Sequence, residues 1–283
     1  MSDDPLVRNV SDTAMWAAVF RGWENSRRDA VFRDPFAERL AGERGLRIAK
    51  EMKFGTRAYW AWIARTYVVD QMIREQIAQG ADTIINLAAG LDARPYRMSL
   101  PSSLLWVEID LNGIIEYKEE ILAREKPACE VLRIRLDLSR RDARREVFQT
   151  LGRKSRHELL VAEGLLIYLS RDEVSSLAKD IATERSFKNW IVDITSPALL
   201  AMMKKGMGSQ LEQAGATMKF APEEGPEFFT SCGWKPVVVR SMLHTAAKIK
   251  RLPLMMRPFS WFPDKFPPQG KRPWSGVVLL ERS

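Results

Sequence analysis

Histidine and cysteine are scarce in this chain of 283 residues, with two of each: His157, His244, Cys129 and Cys232. The cysteines are far apart and match no zinc or redox spacing, so two reduced, largely buried thiols are expected. No His-X-X-X-His pair or His–Cys cluster occurs, which argues against a zinc site. Gly-X-X-X-X-Gly-Lys-Ser/Thr is missing, which argues against a P-loop. No apolar run approaches the ~20 residues needed to span a bilayer. The longest candidate, residues 159–169, is interrupted by Glu163. The opening MSDDPLVRNV is acidic and polar, unlike a secretory signal. Repeats and low-complexity tracts are also missing. These absences lead to the expectation of a soluble cytoplasmic protein with no metal and no membrane partner.

The chain does have ample apolar sequence, 46% of residues, enough for a sizeable core at this length. Its formal net charge is +8, which permits an anionic partner such as nucleic acid. The densest basic segment, 133–156, holds Arg140, Arg141, Arg144, Arg145, Arg153, Lys154 and Arg156. Acids are interleaved there, and Phe148 is almost alone as an aromatic. A surface for stacking bases wants more aromatics. The segment reads as a solvated helix face, with nucleic-acid contact as the alternative.

Residues 1–81 read as a helical lid. Ser11 is placed to cap a first helix, and Asp34-Pro35 to start a second with proline in its first turn. A longer helix, from about Thr56 to Gln79, stops at Gly80. Its Tyr59, Trp60, Trp62 and Tyr67 read mainly as core, with a lid over a cleft as the functional alternative. From residue 82 the rhythm becomes strand, turn, helix. Candidate strands are 83–87, 104–109, 130–136, 158–162, 189–194, 235–241 and 276–281, and a helix is expected over 111–126. The early strands are continuous apolar runs, as parallel strands covered on both faces should be. The expected fold is α/β: a Rossmann-like, doubly wound sheet of seven mostly parallel strands with an antiparallel edge strand. The expected units are the lid, 1–81, and the sheet domain, 82–283, with a lid-like insertion at about 243–275.

The richest stretch is DTIINLAAGLDARPYR, followed by LLWVEID. An apolar strand ends in the small turn Ala88-Ala89-Gly90, and a second ends in Asp110 twenty positions after Gly90. In an open α/β sheet, nucleotide-like ligands sit beyond the strands' carboxyl ends. A small turn lets backbone approach such a ligand, and an acid can bond both ribose hydroxyls. Glu108, two residues earlier, competes with Asp110 for that role. A dinucleotide fingerprint needs three glycines. Here Ala88, Gly90 and Ala93 stand in those positions. Asp92 also puts an anion where a pyrophosphate would approach a helix N-terminus. A cationic ligand without phosphates fits better, and S-adenosylmethionine, with its sulfonium and ammonium, is one.

The chain resembles the leucine carboxyl methyltransferase family, in particular its bacterial branch of O-methyltransferases of polyketide and related secondary metabolism. The likeness is carried in order by SDTAMWAAVFR, FRDPFAERLAG, NLAAGLDARPYRM, VEIDLNGIIEYKEEIL, the Leu-Asp-Leu at 136–138, AEGLLIYL and FFTSCGW. Each block is a weak motif, and their order and spacing are specific. The resemblance implies S-adenosylmethionine as cofactor and a small-molecule acceptor. It implies that Arg65 pairs with the cofactor carboxylate, a bidentate task suited to guanidinium. It places Ala88, Ala89 and Gly90 under the methionyl part and Asp92 at the ammonium or in support of the loop. It gives Asp110 the ribose diol, and Asp137 and Leu138 the adenine. Glu163 is to hold the ammonium or a loop amide, a structural buried acid being the alternative. The sequence departs from the family where Ala88 and Ala93 replace its glycine and threonine. An alanine at a positive φ would strain the turn.

Methyl transfer from a sulfonium to oxygen is an in-line displacement that needs alignment and desolvation. A carboxylate acceptor needs no base, whereas a phenol benefits from one. His157 precedes the fourth strand, at the sheet's far end. His244 is the histidine expected within reach of the cleft, and Tyr168 and Arg171 are expected to border the acceptor. Two other classes stay open: an RNA- or tRNA-directed methyltransferase, and a non-catalytic cofactor-binding protein in which Ala88 marks decay. Oligomeric state is not legible.

Overall fold

The computed structural model describes residues 7, 9, 11–153 and 157–283. Lys154 and Arg156 of the basic segment, and most of the acidic opening, lie outside the described residues. The strands are β1 (Thr83–Leu87), β2 (Leu105–Asp110), β3 (Glu130–Arg135), β4 (Glu158–Ala162), β5 (Phe187–Thr195), β6 (Trp234–Ser241) and β7 (Ser275–Arg282). The helices are α1 (Asp12–Asn25), α2 (Ala37–Glu51), α3 (Lys53–Arg57), α4 (Tyr59–Ala78), α5 (Arg94–Arg97), α6 (Asn112–Leu122), α7 (Arg141–Gly152), α8 (Arg171–Ala182), α9 (Pro197–Gln213) and α10 (Met242–Lys248).

One seven-stranded sheet has the order β3-β2-β1-β4-β5-β7-β6. The first five strands are parallel, and β7 runs antiparallel to both β5 and β6. The sheet therefore closes on an antiparallel edge pair, with β7 lying inside β6. Strand positions follow from composition. β1 and β4 are mostly apolar and buried at every residue, as strands covered on both faces must be. β3 and β6 hold the two edges, and their residues alternate or mix in exposure. Pro236 has no N–H to donate and is tolerated on β6 because that strand is an edge, beside a register shift at Pro236/Val238.

The two-residue period of the strands builds two cores. Ile85, Leu87, Val107, Leu160 and Ala162 face Phe148 of α7 and Leu177 and Ile181 of α8. Ile84, Trp106, Leu159 and Val161 face Ala64, Val68, Met72 and Ile73 of α4, together with Ala246 of α10. The last helix of the N-terminal stretch is thus a covering layer of the sheet. A third cluster joins Trp16 and Phe20 of α1 and Leu40 and Ile48 of α2 to Leu91, Ile114 and, from α9, Leu211. Trp60, Trp62, Tyr59 and Tyr67 pack against these cores, half-buried.

Helix starts differ from expectation more than strands do. Ser11 occupies the N-cap position of α1, but its side chain makes no cap, and its own N–H donates to Asn9 Oδ1 instead. Pro35 precedes α2 and is not in its first turn; Asp34 accepts the Phe36 N–H at 3.2 Å. The helix expected from Thr56 begins at Tyr59, with α3 as a separate turn before it, and that expected over 111–126 spans 112–122. The basic segment is only partly a solvated face. Arg144 is buried against Asp180 at 2.6 Å, and Arg141 bonds the same carboxylate from outside. Both cysteines are free and buried.

Candidate functional site

The sheet order reverses between β1 and β4, and a crevice opens at such a switch point beyond the strands' carboxyl ends. The turns after β1, β2, β4 and β5 meet there, and Arg65 reaches it from α4.

The turn after β1 holds two left-handed residues, Ala88 at φ +52° and Gly90 at φ +49°. Glycine suits the second position twice over, since a Cβ there would lie 3.1 Å from the Ala14 Cβ of α1. At Ala88 the strain anticipated from sequence is present. Ala88→Gly is expected to raise stability by about 0.5–1 kcal/mol, the left-handed penalty less the extra chain entropy glycine loses. A shifted urea midpoint at constant m checks this.

Asp110 ends β2 and fastens the turn. Its Oδ2 accepts the Gly90 N–H at 2.6 Å, and its Oδ1 the Leu111 N–H at 2.7 Å. Burial pushes its carboxyl above the usual range, against the pull of those two amides. A carboxylate offers about four lone-pair positions, so it retains acceptor capacity toward the crevice. Glu108 differs in burial and partners, being only 1% exposed and held by two cations. It is buried between Lys118 Nζ at 2.6 Å and Arg133 Nε at 2.9 Å, and its work is structural.

At the ends of β4 and β5 lies a network of guanidinium and carboxylate groups. Arg65 donates to Glu163 Oε1 at 3.0 Å and to Asp193 Oδ2 at 3.1 Å. It lies over the Trp62 ring, 4.7 Å from the centroid, and against Gly164. Gly164, at φ +72°, leaves no Cβ to crowd that guanidinium. Its N–H donates to Asp193 Oδ1. Arg94, buried, reaches Glu163 Oε2 at 2.8 Å, Asp92 Oδ2 at 2.8 Å and Asp70 Oδ1 at 2.7 Å. Arg97 closes on Asp70 with two bonds of 2.7 Å. Burial pushes the Glu163 carboxyl up, but Arg94 and Arg65 outweigh it and hold it below its ordinary value. With Asp34, which Arg97 and Arg21 both reach, the four guanidiniums Arg21, Arg65, Arg94 and Arg97 face five carboxylates, Asp34, Asp70, Asp92, Glu163 and Asp193. The network therefore carries one surplus negative charge, a match for a ligand with one net positive charge.

Asp92 holds the loop. Its carboxylate accepts from the Asn86 side chain, the Arg94 backbone N–H and the Arg94 guanidinium. The sequence argument that its charge repels a pyrophosphate is weakened, because Arg94 neutralises it. Burial pushes its pKa up, yet Arg94 and Lys118 bring it down from 3.8 to about 2. A lowered carboxylate stabilises the fold above its unfolded value and loses that contribution as pH falls through the folded one. Asp92→Asn is expected to cost about 2 kcal/mol at pH 5, shrinking toward zero near pH 2. Urea unfolding of both proteins at the two pH values measures the gap.

Ala89 is buried in the same turn, and its N–H donates to the Ile109 carbonyl. Asp137 and Leu138 follow β3. Asp137 is exposed, with Oδ1 accepting the Ser139 N–H; Leu138 is half-buried against the core. Tyr168 is half-buried beside α1, and burial pushes its hydroxyl up, against a hydrogen bond from Thr13. Arg171 is not brought to the cleft. It is exposed, pairs with Glu224 at 2.5 Å and covers the Phe228 ring. His244 Nε2 donates to the Phe262 carbonyl at 2.8 Å, and its Nδ1 meets Ser241 and Asp264, both at 3.2 Å. His157 lies at the start of β4, bonded to Asn189, at the opposite end of the sheet from the crevice.

Sequence reading missed Arg94, Arg97, Asp70 and Asp193. Two signals were available. Asp70 and Asp193 are single acids inside the apolar runs YVVDQMI and WIVDIT, where an unpaired charge is costly. Arg94 and Arg97 are three apart, on one helix face.

Comparison with known proteins bears on the family and the fold. The leucine carboxyl methyltransferase family profile matches residues 14–182. A Streptomyces coelicolor protein, provisionally named an S-adenosyl-L-methionine-dependent methyltransferase, is 29% identical over 189 residues, covering 61% of this chain and 64% of the relative. The fold is shared with a DUF574-family protein from Streptomyces avermitilis (TM-score 0.58, 12% identity, 94% and 97% of the two chains covered). It is also shared with a provisionally named methyltransferase from Thermobifida fusca (TM-score 0.57, 14% identity, 93% and 97% covered).

Proposed function

Because the chain belongs to the leucine carboxyl methyltransferase family, we propose that it moves a methyl group from S-adenosylmethionine to an oxygen of a small molecule, a secondary metabolite with a carboxylate or an acidic hydroxyl. At the coarser level the chain is an S-adenosylmethionine-dependent methyltransferase by family and fold. The observation that carries the reading is the meeting of a left-handed small-residue turn, a strand-end acid and a network with one surplus negative charge at the switch point. The residues fit the cofactor. Its sulfonium, ammonium and carboxylate sum to one positive charge, the complement of the network. When bound, it supplies an electrophilic methyl group.

In this reading Asp110 accepts from the ribose hydroxyls with its remaining lone pairs. The turn 88–90 passes under the methionyl chain, and Asp137 with Leu138 borders the adenine. Arg65 turns part of its fork to the cofactor carboxylate, while Glu163 and Asp193 hold the ammonium. Arg94 and Asp92 position the turn and Glu163. Tyr168 and the segments packed over the cleft exclude water from the reacting oxygen, which favours displacement over hydrolysis.

The acceptor class follows from what surrounds the cleft. The carboxylates of Asp92, Glu163 and Asp193 are engaged by arginine and that of Asp110 by two backbone amides, the Tyr168 hydroxyl is pushed up by burial, and both His244 nitrogens are occupied. An acceptor already ionised near neutral pH needs no base, and a carboxylate is the simplest one. Incubation with methyl-labelled cofactor and a metabolite extract of the source organism tests this. A labelled small product released by mild base is expected. A base-stable product would move the reading to an ether, and labelled RNA would contradict it.

A further inference from the structure

The segment between β6 and β7 carries an apolar surface that the cleft does not use. Its 3-10 helix, Leu254–Trp261, has no buried residue. Met255 is 90% exposed, Trp261 83%, Leu254 72% and Phe259 58%, and Phe262 follows at 58%. At three residues per turn, Met255, Pro258 and Trp261 share one ridge, and its two large apolar members are the most exposed of these side chains. The ridge is anchored. His244 of α10 bonds the Phe262 carbonyl, and at the segment's far end Ser196 holds Arg272 and Trp274 through backbone bonds. The segment rejoins the sheet beside the carboxyl end of β5, the strand that carries Asp193.

Cations flank the ridge along the chain. Lys248, Lys250, Arg257, Lys265, Lys271 and Arg272 are all exposed. The acid among them, Asp264, lies 3.2 Å from His244. Exposed apolar patches of this kind mark contact surfaces, and the charge selects the partner. A second copy of the chain would set cations against cations. An anionic bilayer offers both complements at once: acyl chains for Met255, Trp261 and Phe262, and lipid phosphates for the lysines and arginines. Tryptophan also favours the headgroup boundary.

The geometry points to peripheral binding of an anionic membrane surface through residues 254–262. No helix among the described residues is long and apolar enough to cross a membrane, so the contact lies on the surface. The sequence expectation of no membrane partner rested on the missing spanning run, which does not bear on surface binding. The inference is independent of the methyl-transfer reading.

Flotation with phosphatidylcholine vesicles, with and without phosphatidylglycerol, tests it on the full chain. Binding to the anionic vesicles and not to the neutral ones is expected, weakening as salt rises. The double variant Met255→Ser, Trp261→Ser is expected to lose at least roughly tenfold in partitioning, because both apolar inserts are gone. Arg257→Glu with Lys265→Glu should lose binding as well. All four side chains are exposed, so an unchanged circular dichroism spectrum is expected and separates lost binding from lost fold. Failure of the wild type to float with anionic vesicles overturns the proposal. So does binding that the serine variant retains in full. A wild-type dimer that the serine changes dissociate, with no vesicle binding, would identify a second copy as the occupant and overturn it too.

Discussion

Asp110→Ala is expected to weaken S-adenosylmethionine binding by roughly 150- to 1,000-fold, about 3–4 kcal/mol, the lower part of the worth of two charge-assisted hydrogen bonds. Two losses combine in that figure. The ribose diol loses its acceptor, and the Gly90 and Leu111 amides lose theirs, so the turn beneath the methionyl chain loosens. Glu108→Gln is the control. Glu108 lies on the same strand but spends its carboxylate on Lys118 and Arg133. Its substitution should lower stability and leave cofactor affinity near that of the wild type. Titration calorimetry of the two variants separates the roles. Equal losses of affinity would return the two acids to the ambiguity they have in sequence.

Asp70→Ala should have the largest effect on stability, about 3–5 kcal/mol, because it leaves buried Arg97 with only Asp34, at 3.9 Å, and takes from buried Arg94 one of its three carboxylates. Arg94 and Arg97 both bond Asp70, and the side chains of all three are at most 3% exposed. Burial pushes the Asp70 carboxyl up, but Arg97 and Arg94 overcome it and hold the group below 3.8. Its contribution is therefore complete above that value and is lost as pH falls through the lowered one. Urea unfolding near neutral pH measures the cost. Arg171→Ala, which removes an exposed pair, should stay within about 0.5 kcal/mol of wild type. A small loss at Asp70 would mean that the network adds little to folding. Because Arg94 also reaches Asp92 and Glu163, the Asp70 variant should bind cofactor more weakly too.

The strands were legible because each is a short apolar run bounded by polar or turn residues, and the continuous runs marked the buried centre. The order of the last two was not. β6 and β7 both read as alternating strands, and only tertiary pairing puts β7 against β5. Helix starts were less legible because serine, aspartate and proline signal starts that neighbouring contacts can move, as at Ser11 and Pro35. In the site, the turn at 88–90 and Asp110 stood out through spacing alone. The network did not, because its bonds join distant positions: Arg65 to Glu163 is a separation of 98 residues, and Arg65 to Asp193 one of 128. The resemblance placed Arg65 and Glu163 in one site, while their direct contact is visible only in the fold. Arg171 was misread because a place nine residues past the end of β4, at the start of α8, does not fix a side chain's direction. Its side chain turns outward to Glu224.

The central claim is that the crevice between β1 and β4 is a cofactor site complementary to one positive charge. Isothermal titration of the wild-type chain with S-adenosylmethionine tests it most directly. Saturable one-to-one binding is expected, and S-adenosylhomocysteine, sharing the same ribose, should displace the cofactor competitively. The lack of saturable heat, or binding that S-adenosylhomocysteine leaves untouched, would contradict it.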